Sequence, residues 1–310
     1  MKNSQTRFGF LFAFCAYCWW GFAPIYWKFL DHVPAVEILG HRMVWSLALL
    51  ALYQTVTRNW GWLKEAITNW NLMLSTAIAA VMLALNAGLF TWGINNGRIL
   101  DTSLGYFINP LFIVLAGYLV YKEEVRKFQW LAIGIAGLGV LYLTFVYGQF
   151  PWLGLTLACA FTLYGVFKKR TTLGTFESMT LEMGLMFPFF LLYLLTLENS
   201  GAGNFTAVGA PTTWLLIFGG LIAIGPYLFF SAATSRIPLL YVGIMQYIGP
   251  SISFLLGVFL YNEPLNTNLL VGFCFVWVAL VIFSFEGIFS ARLSSVRPPA
   301  VKTKDSLPVS

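Results

Sequence analysis

The sequence predicts an all-α polytopic membrane protein, with ten transmembrane helices arranged as two inverted five-helix repeats. Three observations carry that expectation. Of 310 residues, 59% are hydrophobic and only 10% are charged, whereas soluble domains carry about a quarter charged residues. Most of the lysines and arginines fall in alternate connections between apolar runs. A nineteen-residue word, "GYFINPLFIVLAGYLVYKE" at 105–123, returns 140 residues later as "MQYIGPSISFLLGVFLYNE" at 245–263.

The apolar runs lie near 8–29, 34–57, 72–95, 103–121, 128–146, 151–168, 175–197, 212–234, 239–261 and 267–289. A span needs about 20 apolar residues to cross roughly 30 Å of hydrocarbon. Backbone groups in lipid must bond internally, and the runs do not alternate polar with apolar as barrel strands do, so each reads as a helix. The first run follows a basic start and continues well past the length of a signal peptide without a cleavage site, so it reads as a retained helix. The connection 58–71 reads as a loop and 198–211, "ENSGAGNFTAVGAP", as a flexible one. The polar, proline-bearing stretch 290–310 reads as a disordered cytoplasmic tail. The two repeats are then 8–146 and 151–289.

With ten spans and both termini cytoplasmic, fifteen of the eighteen lysines and arginines fall on the cytoplasmic side, Lys168 among them. Lys28 and Arg98 fall outside, and Arg42 lies within a span. That imbalance fixes orientation by the positive-inside rule. It also accounts for the net charge of +6 through membrane topology, without a nucleic-acid partner. The repeated word occupies spans four and nine. Five steps separate them, so the copies point in opposite directions, and the halves form an inverted-topology repeat. The copies share Pro110 with Pro250 and Glu123 with Glu263.

Ionisable residues within a span are costly and point to function. Span two carries Glu37, His41 and Arg42; span seven carries Glu177 and Glu182. At the repeat offset of 140, Glu37 matches Glu177 and Arg42 matches Glu182. Arg42 and Glu182 each lie about two turns from opposite faces, and so approach mid-depth from opposite sides. An interaction between them, direct or through substrate, is expected. It serves equally as a fixed ion pair or as a coupling site. Titration of His41 or of a buried glutamate makes proton coupling chemically available.

Spans three and four add Asn86, Trp92, Tyr106 and Asn109; the second half adds Tyr227, Gln246 and Tyr247. Aromatic faces with a few amides suit a small organic solute better than a bare ion. Pro110 and Pro250 each free a mid-helix carbonyl and read as hinges. Cys15, Cys18, Cys159 and Cys274 form no zinc-ligand pattern, and no cofactor motif, nucleotide-binding loop or hydrolase motif occurs. No metal, cofactor or catalytic activity is expected.

The stretches "VPAVEILGHRMVWS", "LNAGLFTWGINNGRILDTSLGYFINP" and "MQYIGPSISFLLGVFLYNEP" resemble the drug/metabolite transporter superfamily, in particular EamA-type members of the RarD group. The resemblance spans about 8–289. It implies ten helices, the cytoplasmic (inner) membrane of a bacterium, and export of a metabolite or drug-like solute. A membrane sensor or scaffold that retains the fold is the alternative. Substrate and oligomeric state stay open.

Overall fold

The computed structural model describes residues 2–96, 98–148, 150–261 and 267–296. Among them every regular element is helical. The order is α1 (Lys2–Trp27), a 3-10 turn (Lys28–Leu30), α2 (Ala35–Val56), α3 (Gly61–Thr68), α4 (Trp70–Asn95), α5 (Ile99–Tyr121) and α6 (Lys127–Tyr147). The second half follows with α7 (Trp152–Arg170), α8 (Thr175–Asn199), α9 (Ala210–Thr234), α10 (Leu239–Met245), α11 (Ile248–Phe259) and α12 (Thr267–Val296). All ten expected runs are thus helical. Eight described stretches are long and apolar enough to cross a membrane, Leu239–Phe259 counting as one. α7 falls short of that measure because it ends in three cations, Lys168, Lys169 and Arg170.

Three expectations change. The connection 58–71 contains α3, a short helix whose Ala66 packs against Leu72 and Leu181. The stretch 198–211 is pinned rather than free. Glu37 accepts from the Asn204 backbone N–H (2.6 Å) and Asn204 Nδ2 (2.7 Å), and Glu198 accepts from the Phe205 N–H (3.1 Å). Two buried or half-buried carboxylates there satisfy backbone donors that a Gly-rich loop would otherwise leave to water. Finally, α12 continues to Val296, so 290–296 is helical; 297–310 and Glu263 lie outside the described residues.

Contacts at the helix ends sort those ends into two faces. At one, Arg236 at the end of α9 bonds Gln5 near the start of α1 (3.2 Å), and Lys169 and the N–H groups of Leu239 and Leu240 all donate to Glu123. At the other, Tyr26 donates to the Leu215 carbonyl and Asn204 to Glu37. We call these the N-terminal face and the far face. Glu123, the last residue of the first repeated word, therefore caps the start of α10 with its carboxylate on two orphan N–H groups.

The packing obeys a twofold. α1 lies on α9 as α7 lies on α4, and α1 on α11 as α7 on α5. Three pairs of repeat mates cross each other. In α2 and α8, Gly40 meets Leu194, Gln54 meets Thr180 and Asn59 meets Glu177. In α5 and α10–α11, Phe107 meets Tyr247, Pro110 meets Gly243 and Gly117 meets Leu240. In α6 and α12, Arg126 meets Glu286, Gly139 meets Phe275 and Tyr142 meets Asn268. In each pair one number rises as the other falls, so the mates run antiparallel. This is the geometry of an inverted repeat. Tyr247 and Phe107 are themselves repeat mates, and the Tyr247 hydroxyl donates to the Phe107 carbonyl (3.0 Å) across the axis.

The two hinges differ. α5 runs through Pro110 without a break. The second copy is divided at Gln246–Tyr247, where α10 ends and α11 begins. A proline displaces the carbonyl four residues earlier, and for Pro250 that carbonyl belongs to Gln246. The Gln246 carbonyl instead accepts from the Gly249 N–H (3.2 Å). The break thus falls one turn before the predicted hinge, at the bond that the proline removes.

Candidate functional site

Of the expected Arg42–Glu182 interaction, the direct form is not present among the described residues. Glu182 pairs with Lys168, the last residue of the run 151–168, which the charge count places on the cytoplasmic side. Lys168 Nζ donates to Glu182 Oε1 (2.6 Å), Ser178 Oγ (2.9 Å) and Met179 Sδ (2.9 Å). Both side chains are shut from solvent, at 0% and 2% exposure. Lys168 reaches across from the last turn of α7 to three polar or sulfur atoms on the first turns of α8. Its neighbours Lys169 and Arg170 stay near the surface; Lys169 reaches Glu123 (2.7 Å). Glu182 Oε2 accepts no hydrogen bond of good geometry among the described residues, and the Tyr164 hydroxyl stands beside it.

Arg42 has a different surrounding. Its guanidinium lies over the Trp27 ring, 4.8 Å from the centroid. Among the described residues it makes no ion pair, and its buried Nε has no hydrogen-bond partner. Its electrostatic neighbours are the hydroxyls of Tyr106 on α5 and Tyr227 on α9, and Tyr227 is also a neighbour of Glu182. Tyr106 is 44% exposed. The Tyr106 hydroxyl lies deep within the bundle, so that exposed surface opens on a space between helices. Phe90 meets its ring edge-on at 5.6 Å. Arg42, Tyr106 and Tyr227 therefore border one internal chamber.

The polar stripe of α9 leads from that chamber to the N-terminal face. Tyr227, Ser231 and Ser235 follow one another at four-residue spacing, so they share a helix face. Ser231 and Ser235 line a cleft of about 330 Å³ together with Lys168, Thr171, Thr175 and Arg236. Aromatic rings pack around Tyr227. Trp20 meets Tyr227 edge-on at 5.2 Å, and Tyr164 stacks on Phe230 at 5.8 Å.

The remaining sequence-predicted residues lie elsewhere or serve packing. Glu37 is fully buried under the Asn204 loop, and His41 stacks on Phe205 at 4.7 Å with its Nε2 4.0 Å from Glu37. Both belong to the far-face closure. Asn86 Nδ2 donates to the Leu157 carbonyl (2.9 Å) and ties α4 to α7. Asn109 accepts a long bond from Thr162 (3.4 Å). Trp92 packs near Trp152 (5.9 Å) beside Arg98, at the far rim. Tyr247 is fully buried on the axis, and Gln246 at the helix break has a buried Oε1 without a partner. Sequence reasoning missed Lys168 and Trp20. The signal for Lys168 was its place next to the apolar run; the first of three successive cations is the one that a helix end turns inward.

Comparison with known proteins gives the following. The EamA-like transporter family matches residues 7–145 and 151–285. Protein RarD of Streptomyces exfoliatus is 40% identical, the alignment covering 95% of this chain and 94% of that protein. A protein named Uncharacterized transporter YojE, of Bacillus subtilis, is 38% identical over 95% and 99% of the two chains. Protein RarD of Escherichia coli is 37% identical over 95% and 100%. A solved crystal structure, 15% identical, superposes with a TM-score of 0.67 over 91% of this chain and 97% of its own.

Proposed function

The chain belongs to the EamA-like transporter family, and from that premise we propose that it exports a small organic solute by alternating access across a bacterial inner membrane, with both termini in the cytoplasm. The observation that carries this reading is the internal chamber: Tyr106 is 44% exposed yet faces Arg42 and Tyr227 from within the bundle. A polar, aromatic-walled space at membrane depth, between two inverted halves, is what a carrier requires and a scaffold does not. The N-terminal-face cleft supports an inward-facing arrangement, with solute arriving along Ser235 and Ser231. The pinned Asn204 loop supports closure at the far face. Proton coupling, where present, would run through Glu182, whose charge Lys168 balances and whose second oxygen is unengaged.

The test is a comparison of metabolites in medium and cells between strains lacking and overproducing the protein, followed by uptake of the candidate solutes into proteoliposomes. Transport that Tyr106→Ala abolishes supports the carrier. Purified, folded protein that moves none of the solutes raised in the medium refutes it and leaves the sensor or scaffold reading.

A further inference from the structure

The charges at membrane depth do not cancel, and the imbalance has a sign. The pseudo-twofold relates Arg42 on α2 to Glu182 on α8. Each faces the preceding span of its own half. α7 presents Glu182 with an ammonium at 2.6 Å. α1, the repeat mate of α7, presents Arg42 with the Trp27 ring. Glu182 is thus neutralised within the protein and Arg42 is not. The other nearby acid, Glu37, has both oxygens engaged by Asn204 on the far-face loop. An aromatic face stabilises a guanidinium but leaves its charge uncompensated. Arg42 is half-buried, and a partly desolvated cation without a counter-charge is met by whatever anion enters the chamber.

Resting on the carrier reading above, we infer that the chamber takes an organic monoanion, its carboxylate on Arg42 and its apolar body against the aromatic wall. One uncompensated cation matches one negative charge. Lys168 is committed to Glu182, so a dianion would find no second partner. The Tyr106 and Tyr227 hydroxyls offer donors to the same carboxylate. Phe90 beside Tyr106 and Trp20 beside Tyr227 supply flat apolar faces for the remainder. A neutral solute would leave Arg42 unpaired throughout the cycle, and a cation would be repelled by it.

The experiment measures thermal stabilisation and binding of the full chain in detergent, at pH 7, fixed ionic strength and matched chloride. The probes are benzoate, phenylacetate and hexanoate, each beside its uncharged amide, with benzylammonium and inorganic phosphate as further arms. Stabilisation by carboxylates and not by amides is expected, with the aromatic acids ahead of hexanoate. Arg42→Gln should weaken binding about ten- to a hundredfold, the range for a lost charge-assisted bond, and Arg42→Lys should weaken it less. Tyr106→Phe keeps the ring and removes the hydroxyl; a several-fold loss there reads the same site without touching the charge. Equal response to acid and amide, no response to any carboxylate, or a response to phosphate or chloride alone overturns the inference. If the amides or other neutral solutes are transported while the acids are inert, the anion class fails and the carrier stands; if nothing is transported, the carrier reading itself fails.

Discussion

Lys168 and Glu182 allow a sharp test of how the interior is held together. Their side chains are 0% and 2% exposed, and their charged atoms lie 2.6 Å apart. Lys168→Met keeps the stem and removes the charge, leaving Glu182 buried without its partner. Breaking one side of a buried pair costs about 3–5 kcal/mol, because the survivor stays desolvated. Glu182→Gln leaves a buried ammonium and should cost a similar amount. The double variant Lys168→Met/Glu182→Gln removes both charges and should recover most of the loss, since an apolar replacement of a buried pair is often close to neutral. At roughly 2–4 °C per kcal/mol, extrapolated from soluble domains somewhat smaller than this chain, each single change should lower the melting temperature by on the order of 10 °C. The assay is thermal unfolding of the four proteins in one detergent, read as a double-mutant cycle. Single variants within about 2 °C of the parent, or a double variant as unstable as the sum of the two, would refute the claim that the pair is a desolvated, mutually dependent unit.

Other outcomes follow from the packing. Glu37→Gln should release the Asn204 loop at a cost of about 1–3 kcal/mol, visible as faster hydrogen exchange confined to 198–211 while α2 stays protected. A Cβ on Gly220 would sit 2.6 Å from Trp45 Cβ and 2.8 Å from the Ser46 N, where α2 and α9 meet backbone to backbone. Gly220→Val should therefore destabilise by about 1–3 kcal/mol or more, and an unchanged melting temperature would contradict the close approach. Pro250→Ala restores an N–H that can bond the Gln246 carbonyl, joining α10 to α11. It should raise thermal stability while slowing transport, and faster turnover in proteoliposomes would show that the break is not used.

The sequence made the fold legible because hydrocarbon imposes simple rules. Span length, the absence of alternation and the placement of arginine left little freedom, and the repeat at 140 residues required antiparallel mates. The site was only partly legible. Arg42, Tyr106 and Tyr227 are electrostatic neighbours, although no spacing within any one helix announces it, because their approach is set by helices crossing in space. Asn86 and Tyr247 looked like chamber residues by type, yet their polar atoms satisfy backbone carbonyls, a use that composition cannot distinguish from solute contact. Lys168 went astray for a related reason. Charge counting treats a cation at a helix end as solvated, whereas its burial depends on how the neighbouring helix begins. The loop 198–211 reads as flexible by its glycines, yet the carboxylates of Glu37 and Glu198 and the packing of Phe205 on His41 hold it.

The twofold makes the backbone of the two halves alike while the side chains on it are opposed, and that opposition is where function enters. A perfectly symmetric pair of halves would have equal inward and outward states and no chemical preference at its centre. Here the mates Arg42 and Glu182 carry opposite charge, and their surroundings treat them differently: one is matched by an ammonium, the other by an aromatic face. The mates Pro110 and Pro250 are identical in type, yet only the second copy is broken, beside Gln246. In the proposed cycle the backbone symmetry would supply two interconvertible shapes, and the broken chemical symmetry would decide what rests between them. In the proposed site the choice would turn on the Arg42 guanidinium, which among the described residues makes no ion pair, whereas Glu182 is held by Lys168.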